Sequence, residues 1–148
     1  MREDYINLAK RIVNRSFRDK TDLAGKPYTN HIYRVFESVE SYGPNGETKI
    51  IAILHDLLED CPEWNQDVLR HFFPDSVVDA VQTLTKRKGE EYFDYIKRII
   101  SYDVQYAKYV KLADLKDNMD LTRLDTITDK DLERVKKYHQ AYKMLEVI

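Results

Sequence analysis

Within the run Ile50–Cys61, IIAILHDLLEDC, four titratable side chains, His55, Asp56, Glu59 and Asp60, interrupt an otherwise apolar stretch. At helical spacing His55 lies beside Glu59 and Asp56 beside Asp60, so all four share one sector of a helix. Ionisable groups facing an apolar interior are costly unless neutralised, and a divalent cation can neutralise several at once. Two other segments carry suitable partners: GKPYTNH (25–31) delivers His31 at a helix start, and KLAD (111–114) delivers Asp114, with Asn118 one turn later. His31, His55, Asp56 and Asp114 form a set of two nitrogens and two oxygens for one ion. Imidazole with carboxylate suits manganese, zinc or iron(II) better than calcium, which prefers oxygen alone. Cobalt, nickel and magnesium stay open as further candidates. Such an ion acidifies a coordinated water, leaving Glu59 and Asp60 to orient that water and accept its proton.

Each of these residues also has a plain structural reading. His31 could cap or fill a core, Asp114 could pair with Lys111 one turn earlier, and Glu59-Asp60 could be a solvated helix end before Pro62. Those readings need four separate coincidences, three of them inside apolar helices, where a shared ion needs one.

A phosphate-bearing substrate fits the nearby cations. Lys86, Arg87 and Lys88 cluster before Gly89, Lys26 and Arg34 flank the first ligand, and Lys111 shares a helix face with Asp114 and Asn118. These groups can hold phosphate oxygens as point charges or forks. The 86–88 cluster reads equally well as a solvated helix end favoured by the helix dipole, so Lys111 is the stronger candidate.

The elements that must position these groups read as helices throughout. The four glycines and four prolines fall at breaks, near 25–27, 43–46, 62, 74 and 89. Apolar residues at spacings of three and four predict helices around Tyr5–Val13, Ile32–Val39, Thr48 (as cap) to Cys61 and Val68–Phe72. Further helices are expected over Val77–Leu84, Tyr92–Ile100, Val104–Met119 and Leu132–Leu145. The expectation is an all-α compact bundle of about seven to eight helices, one domain over residues 1–148. With 43% hydrophobic and 34% charged residues among 148, the chain suits a soluble globular protein. A net charge of −2 argues against general nucleic-acid binding, and no run approaches a membrane span. The single cysteine, Cys61, and an N-terminus without an apolar signal core fit a cytoplasmic protein; a homodimer stays open. His71 and His139 have no companions at ligand spacing and read as structural or surface residues.

In order and spacing, GKPYTNH, HDLLED (55–60) and KLADLKDN (111–118) resemble the HD-domain metal-dependent phosphohydrolase superfamily. Within it the chain is most similar to the hydrolase domain of the RelA/SpoT homologues and to stand-alone small alarmone hydrolases. The likeness runs from about Phe17 to Tyr138 and includes Tyr33–Phe36, Leu84-Thr85 and the Tyr92 region. It implies an HD-type helical fold, one manganese ion on His31, His55, Asp56 and Asp114, and catalysis by Glu59 and Asp60. It further implies that Asn118 contacts the nucleotide sugar and that Tyr138 also meets substrate. The implied activity is (p)ppGpp 3′-pyrophosphohydrolysis without alarmone synthesis, since no synthetase segment follows. One departure stands out. Where the resemblance implies a base-stacking arginine, this chain has Asp22, which lacks a guanidinium's cation–π surface. Arg18 or Lys20 could substitute from a shifted loop. Asp22 therefore keeps open a phosphohydrolase for another nucleotide, such as a nucleoside monophosphate or NADPH. A non-catalytic nucleotide-binding module is the remaining alternative, and the intact His-Asp and Glu-Asp pairs count against it.

Overall fold

The third helix (Glu47–Leu54, α3) is apolar on every side, and a helix of that kind must lie at the centre of a bundle. In the computed structural model, which describes residues 2–104 and 106–146, it does. Around it stand α1 (Arg2–Ser16), α2 (Thr29–Ser38), α6 (Asp75–Thr83) and α8 (Tyr106–Asn118), all in contact with it. The one-turn α4 (Leu57–Asp60) and short α5 (Gln66–Arg70) lead into α6, while α7 (Tyr92–Ile100) and α9 (Asp129–Glu146) close over α8. Short 3-10 turns occupy Pro44–Gly46 and Leu121–Arg123. No strand occurs among the described residues; a single bridge pairs Thr21 with Pro27. Ile50, Ile51, Ile53, Leu54, Ile32, Ile96, Ile99 and Leu115 are fully buried and form the centre of one apolar core. Lys49, the one cation of α3, escapes by placing Nζ 2.6 Å from the Phe36 carbonyl.

Several sequence expectations need correction. The helix expected from Thr48 to Cys61 is divided at His55-Asp56 into α3 and α4. Asp56 sits at φ −100°, ψ −4°, close to the sparsely populated bridge region where many active-site residues lie. Thr48 is not the cap: α3 begins at Glu47 behind a left-handed Gly46, and the Thr48 hydroxyl instead donates to the Tyr42 carbonyl at 2.9 Å. Phe72 falls beyond the end of α5 and is exposed against Trp64. Leu132 is likewise exposed, because the inward place in the first turn of α9 is taken by Asp131, which accepts from the Thr128 amide at 2.8 Å. Gln105, within the expected seventh helix, lies outside the described residues.

Glu47 is buried at the head of α3, where the helix dipole favours a carboxylate, and accepts hydrogen bonds from Ser76 (2.6 Å) and Tyr106 (2.7 Å). This network ties α3 to α6 and to α8, and α3 and α8 both carry residues of the centre described next. Before α2, Asp22 Oδ1 accepts from the amides of Ala24 and Lys26 at 2.9 Å each, and the Tyr28 amide donates to the Lys20 carbonyl. The loop thus folds back and presents Lys20 and Tyr28 beside α4.

Candidate active site and metal centre

Three helices converge on one buried point. His31 comes from the first turn of α2, His55 and Asp56 from the α3–α4 break, and Asp114 from the middle of α8. One ligand atom of each lies within 4.8 Å of all the others. Asp114 Oδ1 is 2.9 Å from His31 Nε2 and 3.4 Å from His55 Nε2, and Asp56 Oδ2 is 3.1 Å from His55 Nε2 and 3.6 Å from His31 Nε2. Neighbouring residues on a regular helix do not face each other, and the altered backbone at Asp56 accompanies the convergence of its carboxylate with His55.

Both Nε2 atoms are buried and make no hydrogen bond of acceptable geometry, although carboxylate oxygens stand close by. Their opposite nitrogens are committed: His31 Nδ1 to Asp117 Oδ2 at 2.7 Å, and His55 Nδ1 to the Ala52 carbonyl at 2.6 Å. Those bonds place the proton on Nδ1 and leave each Nε2 lone pair directed at the shared point, the arrangement that orients imidazoles for a metal. The donor set fits a divalent ion, and the cluster can hold one.

Electrostatics agree. Burial works against a charge on His31, yet Asp114 and Asp117 outweigh it and raise its pKa to about 9. His55 is raised as well, against burial, by Asp56 and Asp114. Burial opposes ionisation of Asp56 and Asp114, but His55 holds Asp56 below its ordinary value, and Lys111 with His55 does so for Asp114. The point therefore demands positive charge, whether as protons or as a metal that displaces them.

Partners of these four residues include side chains that sequence reasoning missed. The Tyr28 hydroxyl donates to Asp56 Oδ2 at 2.7 Å. Asp117, three residues after Asp114 on α8, receives a two-pronged bond from Arg34 (2.8 and 3.1 Å), and Arg123 donates to its backbone carbonyl. Position 117 was within reach of i, i+3 reasoning, since it repeats the acidic type one turn after the candidate ligand Asp114. Lys111 Nζ donates to Asp114 Oδ2 at 2.9 Å while Oδ1 faces the imidazoles. The plain pairing of Lys111 with Asp114 and the ligand role are thus compatible, one oxygen for each. Asn118 Nδ2 donates to Asp114 Oδ1 at 3.1 Å.

A cavity of about 220 Å³ opens beside the cluster and is lined by Lys20, Glu59, Asp60, Lys86, Tyr92, Lys111, Asn118 and Tyr138 among others. Glu59 accepts from the Lys86 amide at 2.9 Å, and Asp60 lies 3.2 Å from Lys20 Nζ. Burial, reinforced by the Asp56 charge, raises the pKa of both carboxyls. The loop carrying Lys86 is held by Arg98, which donates to the carbonyls of Thr83 and Thr85 and to Glu90. A second cleft of about 370 Å³ shares Lys20, Tyr28, Asn118 and Tyr138 with the first and continues past Asp22, Arg123 and Arg134.

Of the expected substrate contacts, Lys20, Lys86, Lys111, Asn118 and Tyr138 surround the cluster. Two do not. Arg34 spends its guanidinium on Asp117 and lines the second cleft but not the first cavity, and Lys26 lines neither. Lys20 stands at Asp60 with its Nζ 4.5 Å over the Tyr28 ring and lines both cavities. His71 and His139 are exposed and apart from the centre.

A helical fold that brings a histidine, a His-Asp pair and a distant aspartate to one buried point belongs to the HD class of metal-dependent phosphohydrolases. No family model matches the chain. It is 32% identical over 124 residues to the Drosophila melanogaster guanosine-3′,5′-bis(diphosphate) 3′-pyrophosphohydrolase MESH1, covering 80% of this chain and 69% of that protein. A guanosine-3′,5′-bis(diphosphate) 3′-pyrophosphohydrolase of Vibrio cholerae is 28% identical over 127 residues, which span 80% of this chain but only 17% of that longer protein. A solved structure of a metazoan ortholog of SpoT that hydrolyses ppGpp superposes with a TM-score of 0.73 at 25% identity, over 95% of this chain and 83% of that one. The chain belongs to the family of guanosine-3′,5′-bis(diphosphate) 3′-pyrophosphohydrolases.

No helix among the described residues is long and apolar enough to cross a membrane.

Proposed function

We propose that this chain hydrolyses guanosine 3′,5′-bis(diphosphate) and its triphosphate counterpart at the 3′ position, releasing pyrophosphate and GDP or GTP. The observation that carries the reading is the pair of buried, unpartnered imidazole nitrogens facing Asp56 and Asp114, in a chain whose relatives bear that activity. His31, His55, Asp56 and Asp114 would hold one divalent ion; the donor set suits manganese, zinc or iron(II), and the resemblance to the HD phosphohydrolases favours manganese. A divalent ion bound there supplies Lewis acidity, lowering the pKa of a water and offsetting phosphate charge.

The chain's own residues do the rest. Glu59 and Asp60 orient the attacking water and accept its proton, a task suited to carboxyls whose pKa is raised toward neutrality. Tyr28 keeps Asp56 oriented through its hydroxyl. Lys86 and Lys111 stabilise charge on the phosphate oxygens as the water oxygen bonds to phosphorus and the ribose 3′ oxygen departs. Asn118 and Tyr138, shared by both cavities, bridge toward the sugar, and the second cleft accommodates the base and 5′ phosphates beside Arg123 and Arg134. A reducing cytoplasm suits the chain, whose one cysteine is buried with its thiol pushed up to about 11.

Asp22 favours a second reading. Its carboxylate is occupied by the loop amides, and no guanidinium of that loop lines the second cleft, so another nucleotide, a nucleoside monophosphate or NADPH, is the competing substrate. The discriminating experiment supplies the purified chain and manganese with ppGpp, nucleoside monophosphates and NADPH, measuring phosphate and pyrophosphate separately. Pyrophosphate from ppGpp is expected. Phosphate release from NADPH or a monophosphate, with ppGpp intact, establishes the second reading instead.

A further inference from the structure

Three buried side-chain polar atoms among the described residues make no hydrogen bond: His31 Nε2, His55 Nε2 and the Tyr92 hydroxyl. The two nitrogens face the candidate metal centre. Tyr92 opens α7 and lines the same cavity with Lys86 and Lys111, so all three unpartnered atoms belong to groups around one site. Its ring is fixed by neighbours: centroids of Phe93, Tyr95 and Tyr138 lie 5.3, 5.9 and 6.2 Å away, and Lys137 Nζ sits 4.5 Å over it.

A buried hydroxyl without a partner weakens the folded state, and phenylalanine would present the same ring without that cost. The adjacent Tyr95 shows the contrast, since its hydroxyl donates to the Leu84 carbonyl and has a structural use. Burial raises the Tyr92 phenol's pKa, though Lys111 opposes it, so the group stays a neutral donor. An oxyanion entering this cavity meets two lysines and the side chain of Tyr92, whose buried O–H no protein atom claims.

We propose that the Tyr92 hydroxyl donates a hydrogen bond to a phosphate oxygen of the bound diphosphate and so helps hold the pyrophosphate group. This inference rests on the proposed hydrolase reading and adds a binding residue to it. The role follows from the hydroxyl alone, so Tyr92→Phe isolates it, and Tyr95→Phe serves as the structural control.

The test uses the full chain loaded with manganese and inorganic pyrophosphate as the calorimetric probe, together with the Tm of the metal-free chain and kcat/KM for ppGpp. Tyr92→Phe is expected to weaken pyrophosphate binding by about ten- to hundred-fold, the loss of one hydrogen bond to a charged acceptor, with Tm unchanged or higher. Tyr95→Phe is expected to lower Tm while pyrophosphate affinity holds. A Tyr92→Phe dissociation constant within two-fold of wild type, or a wild type that binds no pyrophosphate, overturns the inference. A wild type that binds pyrophosphate but leaves ppGpp uncleaved instead sinks the proposed substrate, and the Tyr92 comparison still stands.

Discussion

Replacing Asp117 by asparagine should weaken metal binding although residue 117 is not itself a ligand. Its carboxylate accepts the His31 Nδ1 proton at 2.7 Å and takes both prongs of Arg34 at 2.8 and 3.1 Å. Its pKa is held down to about 2 against burial by His31 and Arg34, so it is anionic wherever the protein is folded near neutrality. A hydrogen bond to a charged group contributes roughly 1.5–3 kcal/mol and a neutral one roughly 1 kcal/mol. Asparagine can keep a neutral acceptor in place, so the loss at His31 is about 1–2 kcal/mol, or roughly five- to thirty-fold in affinity. That range overlaps the 10–100-fold typical when the partner of a metal-bound histidine is removed. Arg34, about a third exposed, loses its partner largely to water and adds little. Calorimetric titration of the metal-free variant with manganese reads the effect directly, and excess manganese should restore most of the turnover. Manganese affinity within two-fold of wild type, accompanied by a fall in Tm, would refute the reasoning and leave Asp117 as a purely structural anchor.

Glu59→Gln and Asp60→Asn should each reduce turnover by roughly 10²–10⁴-fold while manganese affinity changes only a few-fold, because neither side chain belongs to the ligand cluster. Metal titration beside steady-state kinetics separates the two effects, and a primary loss of metal would contradict the assignment. Arg98 draws the Glu90 pKa down from 4.5 to about 2, so this pair's stabilisation is complete above pH 4.5 and is lost as pH falls toward 2. Urea midpoints at pH 5 and pH 3 should therefore fall more for wild type than for Arg98→Met; equal falls would show that the pair does not matter. Gly43→Ala should lower stability by about 1–3 kcal/mol, because φ is +82° and an added Cβ would stand 2.9 Å from Tyr106, which Glu47 holds in place. An unchanged Tm would show that Tyr106 moves freely.

The cluster of His31, His55, Asp56 and Asp114 was legible because its chemistry is local: two imidazoles and two carboxylates set among apolar residues have few other uses. Helix positions were legible for the same reason, since burial imposes its spacing on Tyr92–Ile100 and Val77–Leu84. What escaped notice depends on pairing across the fold. Arg34 and Asp117 lie 83 residues apart, and nothing in the local pattern of either says that the arginine will be consumed by a carboxylate rather than by phosphate. Nothing in GKPYTNH shows that the Tyr28 hydroxyl will donate to Asp56, 28 residues on, at 2.7 Å. The break at His55-Asp56 was hidden because hydrophobic periodicity continues through it, while the convergence of adjacent side chains is a backbone matter.

Anomalous diffraction at the manganese absorption edge, from crystals of the chain grown with manganese, tests the shared ion most directly. A single peak is expected in coordinating contact with His31 Nε2, His55 Nε2, Asp56 and Asp114, and it should vanish in Asp56→Ala. A peak elsewhere, or one that persists unchanged in Asp56→Ala, would contradict the assignment of these four residues.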